Sequence, residues 1–164
     1  MTFVRTLQTA ALVVLAIGIT SACGKAEAPT PAPAAEAPKK PLVPLVKAYD
    51  DLREALAEDK LDAARAAAAK LVDVAKADQP KLSEQADAAA KAADIAAARK
   101  AFGEVSRALL TAIQATPALG EGLIAFRCPM TETYQKWVQA SRPLRNPYMG
   151  QEMLECGSKA TLEP

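Results

Sequence analysis

Five of the seven sulfur-bearing side chains in this chain fall within one stretch of 29 residues: Cys128, Met130, Met149, Met153 and Cys156. Thiolate and thioether sulfurs are the soft ligands that select Cu(I). Two cysteines in an oxidising compartment are equally the makings of a disulfide. Met149, Met153 and Cys156 stand at i, i+4 and i+7, which places them on one face if the segment is helical. Cys128-Pro129-Met130 reads as an extended turn, because the residue before a proline is driven out of the helical region. Bringing Cys128 against Cys156 gathers Met130 and Met153, with Met149 as a further candidate, into a cluster suited to Cu(I) or Ag(I). The alternative is a Cys128–Cys156 bridge closing about 28 residues, which would contribute roughly 3 to 4 kcal/mol on the chain-entropy account. The methionines would then fill core space against Trp137 and Tyr148, a role their flexible thioethers suit. Both readings stay open at this point, and reduction of a bridge would expose the metal ligands.

Other chemistry lacks its residues. The chain has no histidine, which removes Ser-His-Asp and Cys-His catalysis and the usual zinc sites. There is no GxxxxGK[ST] and no GxGxxG, so no phosphate cradle is expected. A cysteine nucleophile finds no base. Paired carboxylates such as Asp50-Asp51 and Glu58-Asp59 read as solvated helix faces. The sequence predicts a protein that is not an enzyme.

The amino terminus predicts export. Residues 1–22 carry one charge, Arg5, then the apolar run Ala10 to Ile19, an n-region and h-region of secretory length. Thr20-Ser21-Ala22-Cys23-Gly24 resembles a lipobox, making Cys23 the expected lipidation site. Several acyl chains on Cys23 would hold the protein stably to a membrane. Gly24 in place of aspartate favours the periplasmic face of the outer membrane. Residues 23–44 are rich in proline and alanine and read as an extended tether. Removing Arg5 with the signal leaves basic and acidic residues equal in number, and no basic patch supports a nucleic-acid partner.

Residues 45–164 remain as one domain, long enough to bury a single core. Leu45, Tyr49, Leu52 and Leu56 make an amphipathic seam, with Asp59 expected to cap the next helix. That helix carries Leu61, Ala64, Ala68, Leu71 and Ala75. A third helix is expected over 82–93 with an alanine face at Ala86, Ala89 and Ala93. Asp94 is the expected N-cap of a fourth, with seam Ala98, Phe102, Val105, Leu109 and Ile113 and one weak interior position, Gly103. Pro117 and Gly120 end it. The expected fold class is all-α, an up-down four-helix bundle. A cap of short helices and irregular chain follows over 120–164, with helices near 131–140 and 148–155.

The residues Ala101-Phe102, Ser106, Ala108-Leu109, Cys128-Pro129-Met130, Trp137 and Arg145-Asn146-Pro147-Tyr148-Met149-Gly150, then Met153-Leu154 and Cys156-Gly157, resemble a bacterial periplasmic helical domain family of unknown function. That family occurs alone in exported proteins and fused to periplasmic adaptor subunits of heavy-metal RND efflux pumps. Its motif picks out Cys128, Pro129, Met130, Trp137, Asn146, Pro147, Tyr148, Gly150, Met153, Leu154 and Cys156. Met149 stands where an aromatic is more usual, so its candidacy rests on spacing alone. The resemblance implies a helical fold, a carboxy-terminal cysteine pair and a link to copper, silver or a related cation. With no adaptor hairpin, lipoyl domain or β-barrel visible, this chain is expected to be a stand-alone version.

Two functions follow as expectations. The first is a membrane-anchored periplasmic lipoprotein that binds Cu(I) or Ag(I), or assists efflux, in company with a copper-handling envelope partner. The second is a disulfide-stapled interaction or structural module of the envelope with no metal role. Its docking anchors, if exposed, would be Trp137, Tyr148 and Arg145, types that dominate hot spots.

Overall fold

The computed structural model describes residues 43–140 and 143–164. The signal segment, the lipidation site Cys23 and the tether up to residue 42 lie outside the described residues. Four helices come first: α1 (Pro44–Ala57), α2 (Leu61–Ala75), α3 (Pro80–Ala90) and α4 (Ile95–Ala115). A 3-10 turn (Pro117–Gly120) then leads into β1 (Ile124–Arg127) and β2 (Lys136–Gln139), and a second 3-10 turn (Gly150–Met153) precedes β3 (Ser158–Ala160). The domain is therefore mostly helical with a small antiparallel sheet of order β2-β1-β3. The four expected helices are present, and the cap expected to hold short helices and irregular chain carries three short strands.

The helices form where their apolar spacing says they should. Tyr49, Leu52 and Leu56 are buried on α1, and Ala64, Ala68, Leu71 and Ala75 on α2. Ala98, Phe102, Val105, Leu109 and Ile113 are buried on α4. Consecutive helices pack in turn, α1 on α2, α2 on α3, α3 on α4, and α1 also meets α4. The alanines let neighbouring backbones approach closely while contributing little area each. Arg65 of α2 reinforces this by donating to the carbonyls of Ala92 (2.8 and 2.6 Å) and Ala93 (2.9 Å) just past the end of α3. Carbonyls at a helix end otherwise depend on water.

The caps divide between expectation and correction. Asp94 does cap α4, its Oδ1 accepting from the Ala97 N–H at 2.7 Å. Asp59 does not cap α2, whose N-cap is Lys60. Instead Asp59 adopts the left-handed conformation, φ 60°, and closes α1: Lys60 N–H donates to Ala55 O at 2.9 Å and Asp59 N–H to Leu56 O at 3.2 Å. This is a Schellman-type stop, and aspartate is among the few residues other than glycine that enter it at modest cost. α3 spans Pro80–Ala90 rather than 82–93. Pro80 opens it, because the first helical position needs no N–H from the ring. Ala93 consequently lies outside the helix and is exposed.

In the cap, the expected helix near 131–140 is replaced by strand β2. Phe126 stands opposite Trp137 and Ala125 opposite Val138 across β1–β2, and Ala125 pairs with Ala160 across β1–β3. The expected helix at 148–155 shrinks to the 3-10 turn Gly150–Met153.

Candidate functional site

The two cysteines lie on adjoining segments of the sheet. Cys128 directly follows β1, with its N–H donating to Gln135 O at 2.9 Å. Arg127 is paired with Ser158, so continuing that register sets Cys128 against the chain just ahead of β3, where Cys156 sits. Gly157 makes this crossing feasible. Its φ of 147° lies where side chains are rarely found, and a Cβ there would meet Trp137 Cη2 at 3.0 Å and Arg127 O at 3.1 Å. Glycine alone accepts both the backbone angle and the close approach.

Asn146 fixes the other side of the crossing. It is fully buried and spends its whole amide on backbone. Its Nδ2 donates to Cys156 O at 2.6 Å, while its Oδ1 accepts from the N–H groups of Tyr148 (2.8 Å) and Met149 (3.2 Å). Its own N–H donates to Leu154 O at 2.6 Å, and its carbonyl accepts from Gly150 N–H at 3.1 Å. An isolated asparagine read from sequence suggests only a turn. Here it orders ten residues of irregular chain and presents Cys156.

The two thiols differ in exposure. Cys128 is 0% exposed and belongs to the core, whereas Cys156 is half-buried at its margin. Burial and then the neighbouring Cys128 thiol, through charge and hydrogen bonding, push the Cys156 thiol above its ordinary value. At neutral pH this sulfur rests as thiol, and the thiolate through which it reacts is a minor species. The two sulfurs are not joined in this structure.

The methionines do not share this enclosed setting. Met130 is 59% exposed and Met153 37% exposed, while Met149 is partly buried against the core. The i, i+4, i+7 register of Met149, Met153 and Cys156 is lost, because the 3-10 turn covers only Gly150–Met153 and Gly150 enters it with φ 60°. One thiol is thus enclosed, the other lies half-buried at its margin, and two thioethers reach solvent. Among the described residues, no three Asp, Glu or Cys side chains converge in a way that could hold a metal ion.

The remaining motif residues build the support. Trp137 is 0% exposed, and Tyr148 and Pro147 are also buried. Trp137 and Tyr148 are therefore core residues, and the condition of exposure on which they would be docking anchors is not met. Rings run continuously from α1 to β1: Tyr49 on Phe102 (5.3 Å), Phe102 on Tyr148 (5.6 Å), Tyr148 on Trp137 (5.8 Å) and Trp137 on Phe126 (5.7 Å). Such pairs contribute about 0.5 to 1.5 kcal/mol each beyond area. Burial raises the Tyr148 hydroxyl well above its usual range, and it donates to Lys136 O at 2.8 Å. Trp137 Nε1 donates to Gln139 Oε1 at 3.2 Å, which also accepts from Arg145 N–H at 3.2 Å. Pro129 is exposed and Leu154 half-buried.

Arg145 is half-buried and committed to carboxylates, pairing with Glu54 through its Nε and with Glu58 at 3.3 Å. Glu54 also holds the buried Arg53 at 2.5 Å, and Asp50 holds it at 2.7 Å. Burial opposes the Arg53 charge, but Asp50 and Glu54 outweigh it and keep the guanidinium protonated. Beside them Asp59 accepts from Gln151 N–H at 3.0 Å and pairs with Arg99, whose Nε donates to Pro147 O at 3.0 Å. A Cβ at Gly150 would lie 2.0 Å from Arg99 Nη2 and 2.2 Å from Asp59 Oδ1. Gly150 is buried for this reason: it lets the cap loop lie flat on that ion pair.

Sequence reasoning missed three positions. Tyr49 read as one more seam residue, yet its hydroxyl meets Ser106 Oγ at 2.5 Å and accepts from Val138 N–H at 3.3 Å. Gly103 read as a weak point in α4, yet a Cβ there would meet Thr133 Oγ1 at 3.2 Å and Tyr134 N at 3.3 Å. Gln139 carried no reading in the sequence, yet it is buried. A buried tyrosine needs a partner for its hydroxyl, so Tyr49 was the one findable signal.

No protein-family model, no curated protein and no solved structure matches this chain.

Proposed function

We propose that this chain is an exported, lipid-anchored protein of the cell envelope whose folded domain is non-catalytic. On this reading an up-down helical bundle carries a cap stapled by a Cys128–Cys156 disulfide. The observation that carries it is the placing of two thiols, one fully buried and one at its margin, on adjoining chain segments in the least regular part of the domain. Export, on the signal and the lipobox-like Cys23, supplies the oxidising surroundings in which such a pair closes. The cap has three strands of four, four and three residues, too few ladder bonds to hold 120–164 by themselves. A bridge there would contribute about 3 to 4 kcal/mol.

A second reading keeps the same pair as inner ligands for Cu(I) or Ag(I). The neighbouring thiols favour it, as does the resemblance to domains fused to heavy-metal efflux adaptors. Thiolate ligation requires loss of both protons, so affinity would fall as pH drops.

One preparation separates the two. Protein purified from the envelope without reductant is weighed intact, before and after reduction, and the reduced form is titrated with Cu(I) against a competing chelator. The bridge reading expects a native mass two hydrogens lighter than the reduced form and no difference in Cu(I) uptake between reduced protein and a Cys128→Ser, Cys156→Ser variant. The metal reading expects about one Cu(I) per reduced chain, abolished in that variant. Two free thiols in the native protein would eliminate the bridge.

A further inference from the structure

The asymmetry between the two sulfurs sets an order of reaction. Cys128 is 0% exposed. It is fixed in the core between β1 and the 135 segment, and its N–H is already spent on Gln135 O. Cys156 is half-buried on a loop, three residues past a 3-10 turn, with exposed Glu155 and Gly157 on either side. Thiol–disulfide exchange runs through a mixed disulfide, and which sulfur is attacked depends on access. A donor disulfide carries substituents on both of its sulfurs, so it can reach only a thiol that opens to solvent.

We propose that Cys156 is the exchange sulfur of this domain and that Cys128 closes the bridge, with an external disulfide as co-reactant. This rests on the bridge reading above. In the first step the Cys156 sulfur attacks the donor, RS–SR. A Cys156–SR bond forms, the donor S–S bond breaks, and one RS⁻ leaves and takes up the proton lost by Cys156. In the second step the Cys128 sulfur attacks Cys156 Sγ. The Cys128–Cys156 bond forms, the Cys156–SR bond breaks, and the second RS⁻ leaves with the Cys128 proton. Two thiols of the domain are oxidised and one donor disulfide is reduced to two RSH. Reduction retraces the path: an external thiolate attacks Cys156 Sγ, and Cys128 departs.

The test uses the reduced, folded protein and its Cys128→Ser and Cys156→Ser variants, each exposed to oxidised glutathione and followed by intact mass. The Cys128→Ser protein should accumulate a single glutathione adduct that cannot resolve. The Cys156→Ser protein should react more slowly by more than about tenfold in native buffer. In denaturant the two should converge, because access is then equal. Equal native rates would overturn the proposal. A serine at 128 sits in the core and risks misfolding, so the wild type gives a second measurement. It is quenched early with acid under limiting oxidised glutathione and mapped by peptide. The adduct should lie on Cys156, and an adduct on Cys128 would reverse the order while leaving the bridge reading intact. A wild type that takes glutathione on Cys156 and never closes would remove both the bridge and the resolving role of Cys128.

Discussion

The two halves of this domain are held together in different ways. The helical half, 44–115, relies on many small apolar contacts, and alanine and leucine dominate its buried side chains. The cap, 117–164, relies on a few large or polar residues, each with several partners. Asn146 engages four backbone groups besides its own turn. Trp137 touches two aromatic rings and Gln139. Where regular ladders are short, backbone groups must be satisfied by side chains, and the damage from losing one is concentrated.

The largest break in this contrast is expected from Trp137→Ala. The side chain is fully buried, so truncation should cost about 3 to 5 kcal/mol. The loss should be seen in urea melts followed by circular dichroism. A loss under about 1 kcal/mol would show that the cap core collapses around the gap. Asp94→Ala, on the helical side, removes one N-cap bond and should cost only about 1 kcal/mol. It sharpens the comparison if Trp137 fluorescence and far-ultraviolet dichroism still shift together, since the two halves then unfold as one unit.

The smallest effect is expected from acid. Asp59 is held below the usual carboxylate range by the Gln151 N–H and then Arg99, and Glu58 by Lys60 first and then Arg145. Carboxylates with depressed values stabilise the fold above their unfolded values near pH 4, and that contribution is lost as pH falls through the lower folded values. Both side chains are about a third or more exposed, so screening should keep each under about 1 kcal/mol. Asp59→Asn should flatten the fall in stability below about pH 4, measured as melting temperature against pH. An unchanged slope would remove Asp59 from the latch between α1 and the cap.

The helices were legible because their information is local. Tyr49, Leu52 and Leu56 repeat at helical spacing, and nothing distant competes with that pattern. The cap misled for the same reason. Tyr134, Trp137 and Val138 also stand at i, i+3 and i+4, but the pairing of 136–139 with 124–127 is a non-local fact. The strands show no clean alternation either. Ala125 and Phe126 are both buried on β1, and Trp137 and Val138 on β2, with α1 and α4 contacting β2 and Tyr148 packing on Trp137. Asp59 failed as a cap because α1 ends with a left-handed residue, and only the approach of Arg99 and Gln151 explains why an acid stands there. In the site, the adjacency of Cys128 and Cys156 was within reach of sequence reasoning. The exposure of Met130 and Met153 was not, since it depends on how far the 3-10 turn extends.

The hydroxyl of Tyr49 has one more consequence. A three-stranded sheet has two rims, here β2 and β3, and an open rim is an invitation for a foreign strand. By accepting the Val138 N–H, Tyr49 removes a donor that an incoming strand would need on the β2 side, and α1 and α4 both contact β2. Among the described residues no strand pairs with the outer rim of β3, which is three residues long with an exposed lysine, Lys159, at its centre. Self-association through the sheet is thereby discouraged on one rim by a single phenol and on the other by brevity and charge.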